Sequence, residues 1–167
     1  GDFNNMSLLP PDWAPKPHES DMKVDISAVG PLMMQVAGEV ADGVHVHPLH
    51  SMPYIENRPR PGLAEGATKA DRSTDEIDLI IPVCAVPGDS PEERAPLLAR
   101  AKRQIGFYGS TPNYAFQFDD LGFEVTTGRI PETIKAGDID GIADVITDEK
   151  LDMFAGEAPV DEKADRL

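Results

Sequence analysis

Apolar and polar residues alternate across Lys23-Val24-Asp25-Ile26-Ser27, the period of a half-buried strand. Ala28-Val29-Gly30-Pro31 follows as a turn that sets proline at the first position of a helix. That helix is predicted over residues 31–41, where Leu32, Val36 and Val40 recur at i, i+4, i+8 and Met33 and Ala37 widen the stripe. Asp42-Gly43 ends it. Val44-His45-Val46-His47 forms the next strand, closed by Pro48. A helix between two strands returns the chain in the same direction, so the two strands pair in parallel.

The passage from Ser51 to Glu76 is rich in proline, glycine and charge, a connection with short helices near residues 54–57 and 62–69. Residues 77–86 are near-continuously apolar, as a strand covered on both faces should be. Ser90-Pro91-Glu92-Glu93 is a helix start with serine as N-cap, proline at the first position and glutamate closing a capping box. The helix runs to Tyr108, with Leu97, Leu98, Ala101, Ile105 and Tyr108 along one side, Arg94, Lys102 and Arg103 facing water, and Gly109 as its stop. Beyond lie residues 112–121, a turn through Gly122, and helices predicted over 130–136, 139–146, 147–154 (capped by Thr147) and 159–166. Residues 1–22, with Pro10, Pro11, Pro15, Pro17 and a lone Trp13, read as an extended arm. Three strands alternating with helices, then helices only, is α/β order with a parallel sheet.

The length of 167 residues fits one domain and leaves no room for two enzymatic ones. Hydrophobic residues make up 40% and aromatics 6%, so the core is aliphatic. A formal charge of −15 repels phosphate backbones and anionic membrane surfaces, which argues against nucleic acid and membrane as partners. The same field opposes an anionic cofactor unless backbone amides or a local cation hold it. The single cysteine, Cys84, lies in an apolar run, reads as a buried structural thiol, and suits a reducing cytoplasm. No apolar stretch approaches the ~20 residues of a membrane helix.

Three of the four histidines fall within Val44-His45-Val46-His47-Pro48-Leu49-His50. On a strand His45 and His47 share a face. An H-x-H pair can give two imidazoles to a metal, given further ligands from other strands, as in a metal-dependent hydrolase. The same imidazoles can line a polar barrel interior or a cofactor pocket, or be satisfied structural histidines. The second feature is Ser27-Ala28-Val29-Gly30-Pro31, whose small side chains let a ligand approach backbone at a helix N-terminus. There is no G-x-G-x-x-G fingerprint, P-loop or G-x-S-x-G elbow. Arg72 reads as a surface residue or a phosphate partner, the 110–114 stretch as packing around Tyr108 and Tyr114, and the acidic residues from Asp138 to Glu149 as solvated surface.

Ala37-Gly38-Glu39-Val40-Ala41-Asp42-Gly43-Val44, taken with Ala28-Val29-Gly30-Pro31 and Ile105-Gly106-Phe107-Tyr108-Gly109-Ser110-Thr111-Pro112-Asn113-Tyr114, resembles the luciferase-like monooxygenase family. The resemblance is best to the deazaflavin-dependent branch and covers residues 20–167. Asp71-Arg72 stands where that family often has Gly-Arg.

The resemblance implies a TIM (β/α)8 barrel with a flavin or deazaflavin across the C-terminal strand ends. A typical barrel takes about 250 residues, so this chain corresponds to the later half, with residues 23–27, 44–47 and 77–86 as strands five, six and seven. Residues 158–167 resemble the helix before the last strand, and strands one to four and eight have no counterpart. The residues nearest the reactive ring in this family belong largely to the early strands, which implies binding groups here without a complete catalytic set. By position, Ala28, Val29 and Gly30 and the stretch Gly43, Val44, His45, Val46 and His47 are the cofactor-binding candidates. Coenzyme F-420 is the implied cofactor, with FMN as the alternative, and a small organic molecule is the implied hydride partner. An open half-barrel is expected to pair, as a homodimer or with a missing N-terminal half; a non-catalytic oligomerising domain is the rival reading.

Overall fold

The computed structural model describes residues 22–138 and 140–158, so most of the expected arm and the helix expected at 159–166 lie outside the described residues. Its sheet is built from short parallel strands. β1 (Asp25–Ala28) pairs with β2 (Gly43–Val46), and β2 with β3 (Asp78–Ile80). A second pair joins β4 (Cys84–Pro87) to β5 (Ala155–Ala158). The register sets Ser27 opposite His45, and His45 opposite Ile80.

The single strand expected over 77–86 is therefore two. Ile81, Pro82 and Val83 interrupt it, because proline has no N–H to give a ladder. β3 serves β2 on one side of the break and β4 serves β5 on the other. β5 corrects the expectation that no further strand follows and that residue 158 belongs to a helix. Ala-Gly-Glu-Ala carries little strand preference of its own, and pairing with β4 determines its state.

Eight α-helices are present among the described residues. α1 spans Pro31–Val40, α2 Met52–Asn57 and α3 Pro59–Lys69. α2 starts where Ser51 accepts from the Tyr54 amide at 3.3 Å, and both α2 and α3 extend beyond the short helices expected from the sequence. α4 is Pro91–Gly109, with Ser90 accepting from the Glu93 amide at 3.2 Å as the capping box requires. α5 is Phe116–Asp119, α6 Glu124–Lys135, α7 Ile142–Val145 and α8 Asp148–Asp152. Thr147 precedes α8, but its side chain makes no capping bond.

α1 turns the opposite face inward from the one its large residues suggested. Met34, Ala37 and Gly38 are buried, whereas Leu32 is 74% and Val40 68% exposed. Close packing against α3 is the reason. A Cβ at Gly66 would collide with the Gln35 carbonyl and one at Gly38 with the Leu63 carbonyl, so this crossing accepts only small residues on either helix.

Two further expectations on α4 are corrected. Lys102 does not face water freely but pairs with Asp148 at 2.6 Å, with its side chain 18% exposed, and Leu97 is exposed instead of lining the core. Gly109 lies within the helix and packs on Phe118 and Ile130. The turn through Gly122 is present at φ 78.

Apolar burial divides into two clusters. One gathers Met34, Val44, Tyr54, Ile55 and Leu63 around β1, β2 and α1 to α3. The other gathers Val86, Ile105, Phe118, Ile130 and Leu151 around β4 and α4 to α8. No described helix is long and apolar enough to cross a membrane.

Candidate functional site

The C-terminal ends of β1 and β2 open into a cavity of about 510 Å³ lined by Ser27, Ala28, Val29, His45, Val46, His47, Pro48, Pro82 and Tyr114. Parallel strands leave their last residues and the following turns on one side, where a ligand can meet several segments at once. Five of the sequence candidates, Ala28, Val29, His45, Val46 and His47, meet here. Gly30 stands next to them as the N-cap of α1. Gly43 and Val44 do not. Gly43 begins β2 at the far end of the sheet, where a Cβ would lie 2.6 Å from the Asp25 carboxylate, and Val44 is fully buried in the first core cluster.

The turn from β1 into α1 is suited to an anion. Gly30 caps the helix through its backbone alone, no acidic residue occupies the first turn, and a Cβ at Gly30 would meet nothing within 4 Å. Pro31 lacks an N–H, and the Leu32 and Met33 amides have no intrahelical acceptor. The cavity lining carries no Lys or Arg. In a chain of net charge −15, these amides are uncharged donors available to an anion at the start of α1.

The three clustered histidines do three different things. His45 contacts Asp25, Nε2 to Oδ2, at 3.2 Å on the uncovered face of the sheet. His47 accepts from the Leu49 amide through Nδ1 at 3.0 Å and sits between Tyr114 and Tyr108, ring centroids 4.2 and 4.9 Å away. Burial holds its imidazole below the usual histidine value. With Nδ1 accepting, the neutral ring carries its proton on Nε2. His50 is buried, and its Nδ1 donates to the His47 carbonyl at 3.0 Å, closing the turn. Among the described residues no group of three or more His, Cys, Asp or Glu side chains is placed to hold a metal.

A second groove of about 380 Å³ adjoins the first through Pro48 and Pro82 and runs between β4 and α4 past Cys84, Arg100 and Tyr108. Cys84 is half-buried at its edge instead of fully enclosed, and burial raises its thiol above the usual range.

The residues that carried the family resemblance are mostly structural. Gly38 admits α3, and the Asp42 carboxylate accepts from the Val24 amide at 2.7 Å. Arg72, expected at the surface or on a phosphate, donates from Nη1 to the Gly38 carbonyl at 3.2 Å and from Nη2 to the Ala41 carbonyl at 2.8 Å. It thus satisfies the C-terminal carbonyls of α1. Asp71 before it has φ 55, the left-handed region that favours glycine.

Sequence reasoning missed Tyr54 as a site residue. It reaches from α2 to donate to the Val29 carbonyl at 2.7 Å, and it is separated from Val29 by too much chain for any local pattern to pair them.

Comparison with known proteins identifies the family and the fold. The model for the luciferase-like monooxygenase family matches residues 1–167, and the chain belongs to that family. An uncharacterised protein of Mycobacterium tuberculosis (strain ATCC 25618 / H37Rv) is 31% identical over 100% of this chain and 49% of its own length. The 5,10-methylenetetrahydromethanopterin reductase of Methanopyrus kandleri is 29% identical over 89% of this chain and 41% of its own length. The solved structure of the coenzyme F420 dependent tetrahydromethanopterin reductase from Methanopyrus kandleri superposes with a TM-score of 0.65 at 25% identity, covering 81% of this chain and 38% of that one. The α/β fold is a partial TIM barrel with an open sheet. The chain spans about half the length of the relatives it matches.

Proposed function

We propose that this chain supplies the cofactor-binding half of a coenzyme F-420-dependent oxidoreductase, which moves a hydride between the deazaflavin and a small organic substrate. The observation that carries the reading is the cavity at the C-terminal ends of β1 and β2, walled by His47 and Tyr114 and lined by Ser27, Ala28 and Val29, which lead into the Gly30-capped N-terminus of α1. The F-420 dependence stated for a relative of the same fold supports F-420 over FMN.

In this reading Gly30 and the first amides of α1 hold the phosphate-bearing tail. Ala28 and Val29 line the cavity beside it. His47, neutral and fixed by Leu49, offers its Nε2 proton to an acceptor on the ligand. His45 stands on the uncovered sheet face with Asp25 as its partner. When bound, the deazaflavin supplies a ring carbon that accepts or donates the hydride.

The open sheet and the exposed stripe of Leu32, Met33, Val36 and Val40 favour a second reading, an oligomerising half-barrel. Fluorescence titration with F-420 and with FMN, run beside light scattering, separates the two. The cofactor reading predicts saturable binding of F-420 in preference to FMN. A well-folded oligomer that binds neither contradicts it.

A further inference from the structure

We propose that the groove between β4 and α4 is a second ligand site, which takes a small organic carboxylate with an apolar body. In the reaction proposed above this ligand is the substrate, and that role alone rests on the F-420 reading. The groove of about 380 Å³ meets the first cavity at Pro48 and Pro82, so one cleft has two limbs. Val83, Ala85, Leu97, Ala101 and Ile105 give the second limb apolar walls with few polar groups between them, the pattern of a small-molecule site.

Arg100 supplies the anion end. Arg100, Gln104 and Tyr108 follow one another at i, i+4 and i+8 along α4, and all three line the groove. The Gln104 Nε2 donates to the Tyr108 hydroxyl at 3.2 Å, which leaves the Arg100 guanidinium as the charged donor of the row. In a chain with 30 acidic and 15 basic residues, Arg58, Arg60, Lys69 and Lys102 each rest on a carboxylate. Arg100 has no hydrogen bond or ion pair among the described residues. A guanidinium without a carboxylate, beside an apolar groove, is complementary to a carboxylate brought by a ligand. Two turns on, about 11 Å along the helix axis, the Tyr108 ring stands against His47, so the apolar end of the ligand points to the first cavity. Arg100 and Gln104 also border a hollow on the other flank of α4, with Phe107, Ile134 and Ile142. Cys84 lines the β4 groove and not that hollow, and so tells the two apart.

The test follows alkylation of Cys84, the single cysteine, by iodoacetamide in the full chain, with hexanoate, hexanamide or acetate added at constant ionic strength. Calorimetric titration and melting temperature run beside it. Hexanoate is expected to bind with a Kd of about 1 mM and to slow alkylation, with hexanamide and acetate each about tenfold weaker. Arg100→Gln should weaken hexanoate about tenfold at an unchanged melting temperature, because Arg100 is exposed. Arg100→Lys keeps the charge but not the fork and should fall between. Arg60→Gln, the same charge change on α3, should have no effect. Equal protection by hexanamide, or wild-type affinity in Arg100→Gln, overturns the proposal. A Cys84 that hexanoate leaves unprotected also overturns it, whether the anion sits on the other flank of α4 or does not bind at all. If hexanoate protects Cys84 through Arg100 while F-420 does not bind, the groove stands and the cofactor reading falls. F-420 binding without protection by hexanoate leaves the cofactor reading and removes the groove.

Discussion

The imidazole of His47 lies against the ring of Tyr114, centroids 4.2 Å apart and planes tilted by 39°. One residue directly follows β2 and the other follows the long helix α4, so the contact ties the mouth of the parallel sheet to the helical half of the chain. Replacing Tyr114 by leucine removes the aromatic partner and keeps most of the apolar volume. Aromatic pairs are worth about 1 kcal/mol beyond burial, so Tyr114→Leu is expected to lower unfolding free energy by about that amount in urea titration and to weaken F-420 binding. Wild-type values for both would mean that the wall is incidental.

The protonation of His47 gives a pH dependence with a definite sign. Burial holds the folded-state value below the ordinary 6.5, so the unfolded chain binds the proton more readily. The contribution of the neutral ring is fully present above the ordinary value and is lost as pH falls through the depressed folded one. The melting temperature of the wild-type chain should therefore drop more than that of His47→Gln between about pH 7.5 and about pH 5. An NMR titration of the ring that gives an ordinary or raised value contradicts this.

Arg72 is expected to matter for α1 and not for the ligand. Its fork reaches two carbonyls, those of Gly38 and Ala41, and a lysine cannot reproduce that geometry. Arg72→Met and Arg72→Lys should both cost about 1–3 kcal/mol in denaturant unfolding. F-420 affinity should hold wherever the variant is folded; a selective loss of affinity would assign Arg72 to the ligand.

Asp71 occupies the left-handed region at φ 55. Glycine adopts that conformation without a Cβ penalty, so Asp71→Gly should leave stability unchanged or raise it by up to about 1 kcal/mol. A loss comparable to that of Arg72→Met would show that the aspartate side chain has a role of its own.

The parts of this fold that were legible in the sequence are those with local chemistry. Ser90 and Glu93 mark the start of α4, Pro31 marks that of α1, and the alternation before Pro48 marks β2. The buried face of α1 was not legible, because the closeness of α3 decides it and that closeness rests on Gly66, a residue with no hydrophobic signal. β5 was missed for a similar reason: its partner, β4, lies far back along the chain. The site divides in the same way. Ser27 to Gly30 and His45 to His47 are contiguous stretches that pattern alone picks out. Tyr54 and Tyr114 reach the turn and its cavity only through the tertiary fold.

The central claim is that F-420 binds where β1 and β2 end. Amide hydrogen exchange of the chain with and without F-420 tests it most directly. Protection concentrated at residues 28–33, 45–49 and 112–117 is the predicted result. Saturable binding with those segments unprotected, or with protection confined to the groove between β4 and α4, would contradict it.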